Sequence, residues 1–217
     1  MFRMLPPDSA ASIRMLGHRE WVGGMWEEIG KLQLDFLVEQ GLKPDHALLD
    51  IACGSLRGGR YFIPYLGAGN YLGIDKHKAL IDDALRTEVA PDIVRTKKPE
   101  FVISDRFEFS RLSKQPDICI AHAIFTQLNA ADIKLCLARL AAFVRPGCRL
   151  YATFFERGRQ PGLAMLTSLL PSHSLRPFCY RRSTIMRLGD ATGWRARYIG
   201  DWGHPRGHKM IEFTHDG

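Results

Sequence analysis

LLDIACGSLRGGR (residues 48–60) decides the fold. An apolar run carries an acid, Asp50, near its end and then opens onto small residues and three glycines, Gly54, Gly58 and Gly59. That is how a buried strand hands over to a helix at a nucleotide-binding turn. YLGID (71–75) repeats the pattern and ends in a second acid, Asp75. Two acids at the ends of two neighbouring strands of a parallel sheet make a place for the hydroxyls of a ribose.

Working outward, the chain alternates. The spacing of apolar residues predicts an amphipathic helix over 19–40, strands at 47–51 and 71–75, and helices over 57–66 and from 78 to about 85. A loop with Pro91 and Pro99 leads to strands at 101–104 and 117–121. A helix over 130–143 ends at Arg145-Pro146-Gly147, and a fifth strand covers 148–155. Helices near 162–170 and 183–192 and a terminal hairpin from 195–199 and 210–213 complete the reading. Strands alternating with helices predict an α/β, doubly wound, Rossmann-like sheet, mostly parallel, with a C-terminal antiparallel hairpin.

The 217 residues, 46% hydrophobic and 24% charged, suit one domain. We expect 1–217 to form a single unit: 1–44 a helical lid, 45–155 the binding core, 156–217 the wall on the acceptor side. Apolar runs fall far short of the ~20 residues that span a bilayer, and the first residues lack a secretory pattern, so a cytoplasmic protein without a membrane span is expected. Five scattered cysteines, with no CxxC pair, argue against a disulfide framework. Cys53 lies in the turn without an adjoining base in sequence, which favours close packing over nucleophilic work.

A net charge of +7 raises the question of nucleic acid, since from Glu156 onward nine arginines and one lysine face five acids. No stacking aromatics are interleaved with them, and a basic face equally attracts anionic small molecules. The glycine turn carries more information. A dinucleotide site would show GxGxxG, whereas Ala52-Cys53-Gly54-Ser55-Leu56 has one glycine at the critical place, a poor pyrophosphate cradle but sufficient for a ligand without phosphate.

At this point the chain resembles the class I S-adenosylmethionine (SAM)-dependent methyltransferases. LLDIACGS is similar to their first motif, YLGID to their second-strand acid, ISDRF to the loop after strand three, IAHAIFTQLNAADI to the segment after strand four, and LARLAAFVRPGCRLYATFF to their helix, turn and fifth strand. A finer likeness is to a bacterial subset with GCGSLRGGR, here CGSLRGGRYFIPYL, an upstream tryptophan helix, HREWVGGMWEEIGKLQLDFL, and a late phrase, GDWGHPRGHKMIEF. The resemblance implies SAM as cofactor and a hydroxyl of a small molecule or glycan as acceptor. RNA or protein methylation, or cofactor binding without catalysis, are the alternatives.

Carried onto this sequence, the resemblance implies that Gly54 lets the backbone approach the methionyl part, supported by Asp50 and lined by Ala52 and Cys53. Ala52 replaces a customary glycine, a change the turn accepts if φ there is negative. Asp75, with Lys76 beside it, would accept from both ribose hydroxyls. Asp105 would accept from the adenine amine, flanked by Arg106 and Phe107. Ala121 and His122 would close the site after strand four.

For chemistry, a hydroxyl acceptor needs alignment and a base. His122 stands at the carboxyl edge of strand four, and an imidazole suits that work. His204, in WGHPRGH, is the second candidate, and His208 a weaker third. Asp201, His204 and His208 could ligate a divalent ion, but their spacing is not diagnostic and no metal is expected. Trp21, Met25 and Trp26 read either as a lid or as a staple fixing the first helix to the sheet.

Overall fold

The computed structural model describes residues 15, 17–21, 23–157, 172 and 177–217. The helix expected near 162–170 lies outside them. Strands β1 (Leu48–Ile51), β2 (Tyr71–Asp75) and β4 (Ile118–Ala121) are buried at every residue. Such unbroken apolar runs are expected of strands covered on both faces.

β1 pairs in parallel with β2 on one side and β4 on the other. β3 (Glu100–Ile103) joins β2, and β5 (Arg149–Glu156) joins β4, again in parallel. Two further strands, β7 (Trp194–Gly200) and β8 (Lys209–His215), form the antiparallel hairpin, with β8 laid along β5. The order is therefore β3-β2-β1-β4-β5-β8-β7. Successive strands are added toward one edge from β1 to β3 and toward the other from β4 onward, so the order reverses between β1 and β4, the crevice where open α/β sheets hold ligands. A two-residue strand, β6 (Cys179–Tyr180), pairs with the end of β5 and has no periodic signal in the sequence.

Helices cover both faces, so the core has two layers. On one face Phe125, Leu137, Phe154, Trp194 and Phe213 pack together; on the other Phe36, Leu37, Phe62, Tyr151 and Trp202 do. Four cysteines are buried as small core residues and Cys179 is exposed. Among the described residues no helix is long and apolar enough to cross a membrane.

Two expectations are corrected. The single helix over 19–40 is two, α1 (His18–Trp21) and α2 (Trp26–Glu39). Gly23, Gly24 and Met25 separate them with φ of 95°, 63° and 48°, left-handed conformations that end a helix. The loop expected around Pro91 begins with a short helix, Pro91–Lys97, because proline at the first helical position presets φ and loses no bonded N–H.

The N-terminal segment is stapled down. Arg19 donates to both carboxylate oxygens of Glu88 at 2.8 Å, and the Trp26 indole donates to Oε2 at 3.1 Å. Trp26 is buried, with the Arg19 guanidinium 5.1 Å from its ring centroid. Trp26 thus takes the staple role rather than that of a lid, while Met25 is exposed. The side chain of Trp21 lies outside the described residues.

Candidate active site

A cavity of about 580 Å³ opens at the carboxyl ends of β1, β2, β3 and β4. Asp50, Ala52, Cys53, Gly54, Asp75, Lys76, Asp105, Phe107, His122 and His204 all line it, which brings together most residues singled out in the sequence. Arg106 and Ala121 do not line it. Arg106 is exposed and its carbonyl accepts from Arg139; Ala121 is fully buried within β4.

The turn after β1 is built on backbone. The Gly54 N–H donates to Asp75 Oδ2 at 2.8 Å and the His77 N–H to Oδ1 at 2.7 Å. Each carboxylate oxygen of Asp75 is therefore held by one N–H and keeps a second lone pair. Burial raises the Asp75 pKa, and the two N–H bonds work against that rise. Asp50 is deeper, accepts from the Tyr71 hydroxyl at 2.8 Å, and is pushed by burial up to about 7. Cys53 is buried and its thiol is pushed well up by burial and by the charges of Asp75 and Asp50, which favours the packing role over a nucleophile.

Ala52 corrects the sequence reading: its φ is +59°, in the left-handed region, so the position that favours glycine is filled by a strained alanine. Phe107 (φ 57°), in the loop after β3, and Ala123 (φ 62°), after β4, share that conformation. Three strand ends therefore reverse sharply at the cavity, and strain of this kind gathers at functional sites. At Ala123 the turn is fixed by Thr153 Oγ1, which accepts from its N–H at 2.7 Å, and by the Thr126 hydroxyl, which donates to its carbonyl at 2.6 Å.

The other half of the cavity is made of histidine and arginine. His122 Nε2 lies 3.2 Å from His204 Nε2, and the His204 and His208 rings stack with centroids 4.1 Å apart. Trp202, buried, stacks on His204 and packs edge-on against Phe36 of α2. Burial and the charges of Arg57 and Arg206 hold all three imidazoles below their ordinary range: His204 falls to about 3, His208 to about 4, and His122 well below normal. They are neutral near pH 7. Asp201 is not with them, being exposed and paired with Lys209, so the trio Asp201, His204 and His208 does not form; His122 takes the third place.

Arg57, given no role in the sequence reading, and Arg206, the arginine of the WGHPRGH loop, complete this half. Arg57 Nη1 donates to the Gly24 carbonyl at 2.8 Å and Nη2 lies 3.3 Å from His122 Nδ1. Arg206 donates to the Gly23 carbonyl. The Gly-Gly break between α1 and α2 thus aims two consecutive carbonyls at two guanidiniums. A signal was available in LRGGR, an arginine three residues beyond Gly54, but its partners are distant in sequence.

Strand order, a cavity at the switch point and an acid ending β2 define the fold of the SAM-dependent methyltransferases. Three solved structures of that fold illustrate the likeness. Human N-acetylserotonin methyltransferase in complex with SAM superposes with a TM-score of 0.69 at 14% identity, over 98% of this chain and 61% of that one. DhpI in complex with SAH gives 0.65 at 14%, over 94% and 93%. Magnesium protoporphyrin IX methyltransferase from Synechocystis PCC 6803 with bound SAH gives 0.60 at 15%, over 87% and 84%. At these identities the likeness is one of fold. No protein-family model matches the chain.

Proposed function

We propose that this protein is a SAM-dependent methyltransferase that delivers the methyl group to an oxygen of a small molecule or glycan. The observation that carries the reading is Asp75, a buried carboxylate at the end of β2 that lines the cavity and is held by two backbone N–H groups, one on each oxygen. That set fits the two hydroxyls of a ribose. The single-glycine turn suits a nucleoside with an amino-acid arm better than a dinucleotide. Asp105 is exposed on the cavity rim, where its carboxylate would accept from the adenine amine, and Phe107 would flank the ring.

Bound SAM supplies an electrophilic methyl group, so the protein's tasks are alignment, exclusion of water and control of charge at the acceptor oxygen. His122 and His204 would meet that oxygen, at the end of β4 opposite the ribose acid. A small acceptor is favoured over RNA because three basic residues of the C-terminal third are paired with acids: Arg195 with Asp216, Arg197 with Glu212, and Lys209 with Asp201. Arg182 lies over the Tyr198 ring. Calorimetry with SAH tests the reading: saturable binding is expected, and no binding would overturn it.

A further inference from the structure

A guanidinium N–H donates and never accepts, so the 3.3 Å contact with Arg57 makes His122 Nδ1 an acceptor. The backbone N–H of Arg206, 3.2 Å from His204 Nδ1, does the same there. A neutral imidazole carries one proton. With both Nδ1 lone pairs engaged, both protons sit on Nε2, and these two nitrogens are 3.2 Å apart. Two N–H donors therefore face one another. That repulsion is relieved by an oxygen accepting from both.

The arrangement discriminates between ligands. One nitrogen each from His122, His204 and His208 fall within 4.8 Å of one another, close enough for a metal ion by distance. A cation, however, needs the Nε2 lone pairs, which would require protonated Nδ1 atoms facing the N–H groups of Arg57 and Arg206. Two guanidinium charges beside the rings oppose it further. An oxyanion wants what is present: aligned N–H donors backed by fixed positive charge. The same accounting leaves His122 and His204 without a spare lone pair, which makes them donors to the reacting oxygen rather than its base.

We propose that His122 and His204, backed by Arg57 and Arg206, form an oxyanion cradle that takes the methyl acceptor as an anion, a carboxylate or an ionised acidic hydroxyl. The inference rests on the methyltransferase reading and narrows its acceptor. An oxygen lone pair forms the new O–CH₃ bond as the S–CH₃ bond breaks, whose electron pair stays on sulfur. The oxygen's negative charge and the sulfonium's positive charge cancel. No proton has to leave, so His122 and His204 need no spare lone pair.

The test uses the full chain labelled with ¹⁵N-histidine, at pH 8, with and without SAH, titrated with benzoate, 4-nitrophenolate and neutral benzyl alcohol. Two-bond ¹H–¹⁵N spectra should report the Nε2–H tautomer at His122 and His204. At least one anion should move those resonances saturably while benzyl alcohol does not; which anion binds separates a carboxylate acceptor from an acidic hydroxyl. Arg57→Gln and Arg206→Gln should each weaken anion binding about tenfold. Arg206 is exposed, so its variant keeps the test alive if the buried Arg57 change does not fold.

An Nδ1–H tautomer at either residue, equal binding of benzyl alcohol, failure of both anions, or stoichiometric Zn²⁺ binding to the imidazoles would overturn the cradle. So would an Arg57→Gln variant that loses affinity for SAH but not for 5′-methylthioadenosine while still binding the anion normally, since Arg57 would then serve the cofactor's own carboxylate. Loss of SAH binding in the parent protein strikes the methyltransferase reading instead and is scored separately.

Discussion

The two halves of the cavity are built from opposite chemistry. Toward β1, β2 and β3 it presents acceptors, Asp50, Asp75 and Asp105, with the turn held by backbone N–H groups. Toward β4 and the β7–β8 loop it presents donors, Arg57, Arg206 and the imidazoles of His122 and His204. A neutral diol and an amine need acceptors, whereas an anionic oxygen needs donors. The halves also differ in how they are held. The acid half rests on strand ends fixed by the sheet, and the basic half on side chains drawn from three distant segments, around residues 57, 122 and 204, with the Gly23 and Gly24 carbonyls aiming the two guanidiniums. The two ligands proposed to meet there are polarised in the same way, the hydroxyls of one at the acid end and the anionic oxygen of the other at the basic end.

The largest expected effect breaks the acid half alone. Asp75→Ala removes two potential charge-assisted bonds to the ribose and leaves the Gly54 and His77 N–H groups without their partner. With about 1.5–3 kcal/mol for a hydrogen bond to a charged group, SAH affinity should fall at least about 100-fold in calorimetry. Anion binding at the histidines should persist. If both binding functions fall together, the halves are one unit and the contrast fails.

Glu88→Gln tests the scaffold of the basic half. Glu88 accepts from Arg19 and Trp26, lies 3.4 Å from His18 and 3.5 Å from Arg60, and its side chain is only 2% exposed. Replacing it turns one acceptor oxygen among these donors into an NH₂ group and loosens the segment whose Gly23 and Gly24 carbonyls aim the two guanidiniums. A loss of about 2 kcal/mol in chemical denaturation is expected. Anion affinity should drop more than SAH affinity, and an equal drop in both would tie the N-terminal segment to the whole cavity instead.

The pH dependence of stability should have opposite signs in the two halves. His204 and His208, held at about 3 and 4, stay neutral when folded, while in the unfolded chain they charge below their ordinary value of 6.5. Their contribution is present above pH 6.5 and is lost as pH falls toward 4, because the unfolded state then binds more protons. Asp50, raised to about 7 from 3.8, does the reverse: its contribution is present below pH 3.8 and lost as pH rises through 7. In thermal melts between pH 6.5 and 4.5, a His204→Asn, His208→Asn double variant should flatten the acid loss, and Asp50→Asn should steepen it. Identical slopes in the two variants would contradict the assignment.

The acid half was legible in the sequence because it is local. LLDIACG and YLGID each carry strand, turn and acid within a few residues, and β2 emerges with the predicted bounds. The basic half was only partly legible. His122 and His204 stood out as residue types, yet their neighbourhood depends on Trp202, Thr153 and two arginines separated by 149 positions, which no period or spacing relates. The missed break at Gly23–Gly24 has the same cause. Amphipathic spacing continues through it, and the reason for the glycines lies in the guanidiniums their carbonyls meet.

Ala52 gives the smallest effect and the finest test of the comparison. It sits in the acid half at φ +59°, where an L side chain costs roughly 1–2 kcal/mol relative to right-handed backbone. Ala52→Gly relieves that cost but adds freedom to the unfolded chain, of about 0.4–1 kcal/mol. The net expectation is a gain of about 0.5–1 kcal/mol in urea unfolding with SAH affinity unchanged within about twofold. The strain belongs to the backbone that delivers the Gly54 N–H to Asp75, and that bond survives the change. A variant that is more stable but binds SAH several-fold more weakly would mean that the alanine methyl itself shapes the turn for its ligand. A variant that is less stable would show that Ala52, packed against the core beside β1, contributes more by burial than it costs by conformation, and the acid half would then depend on side-chain packing as the basic half does.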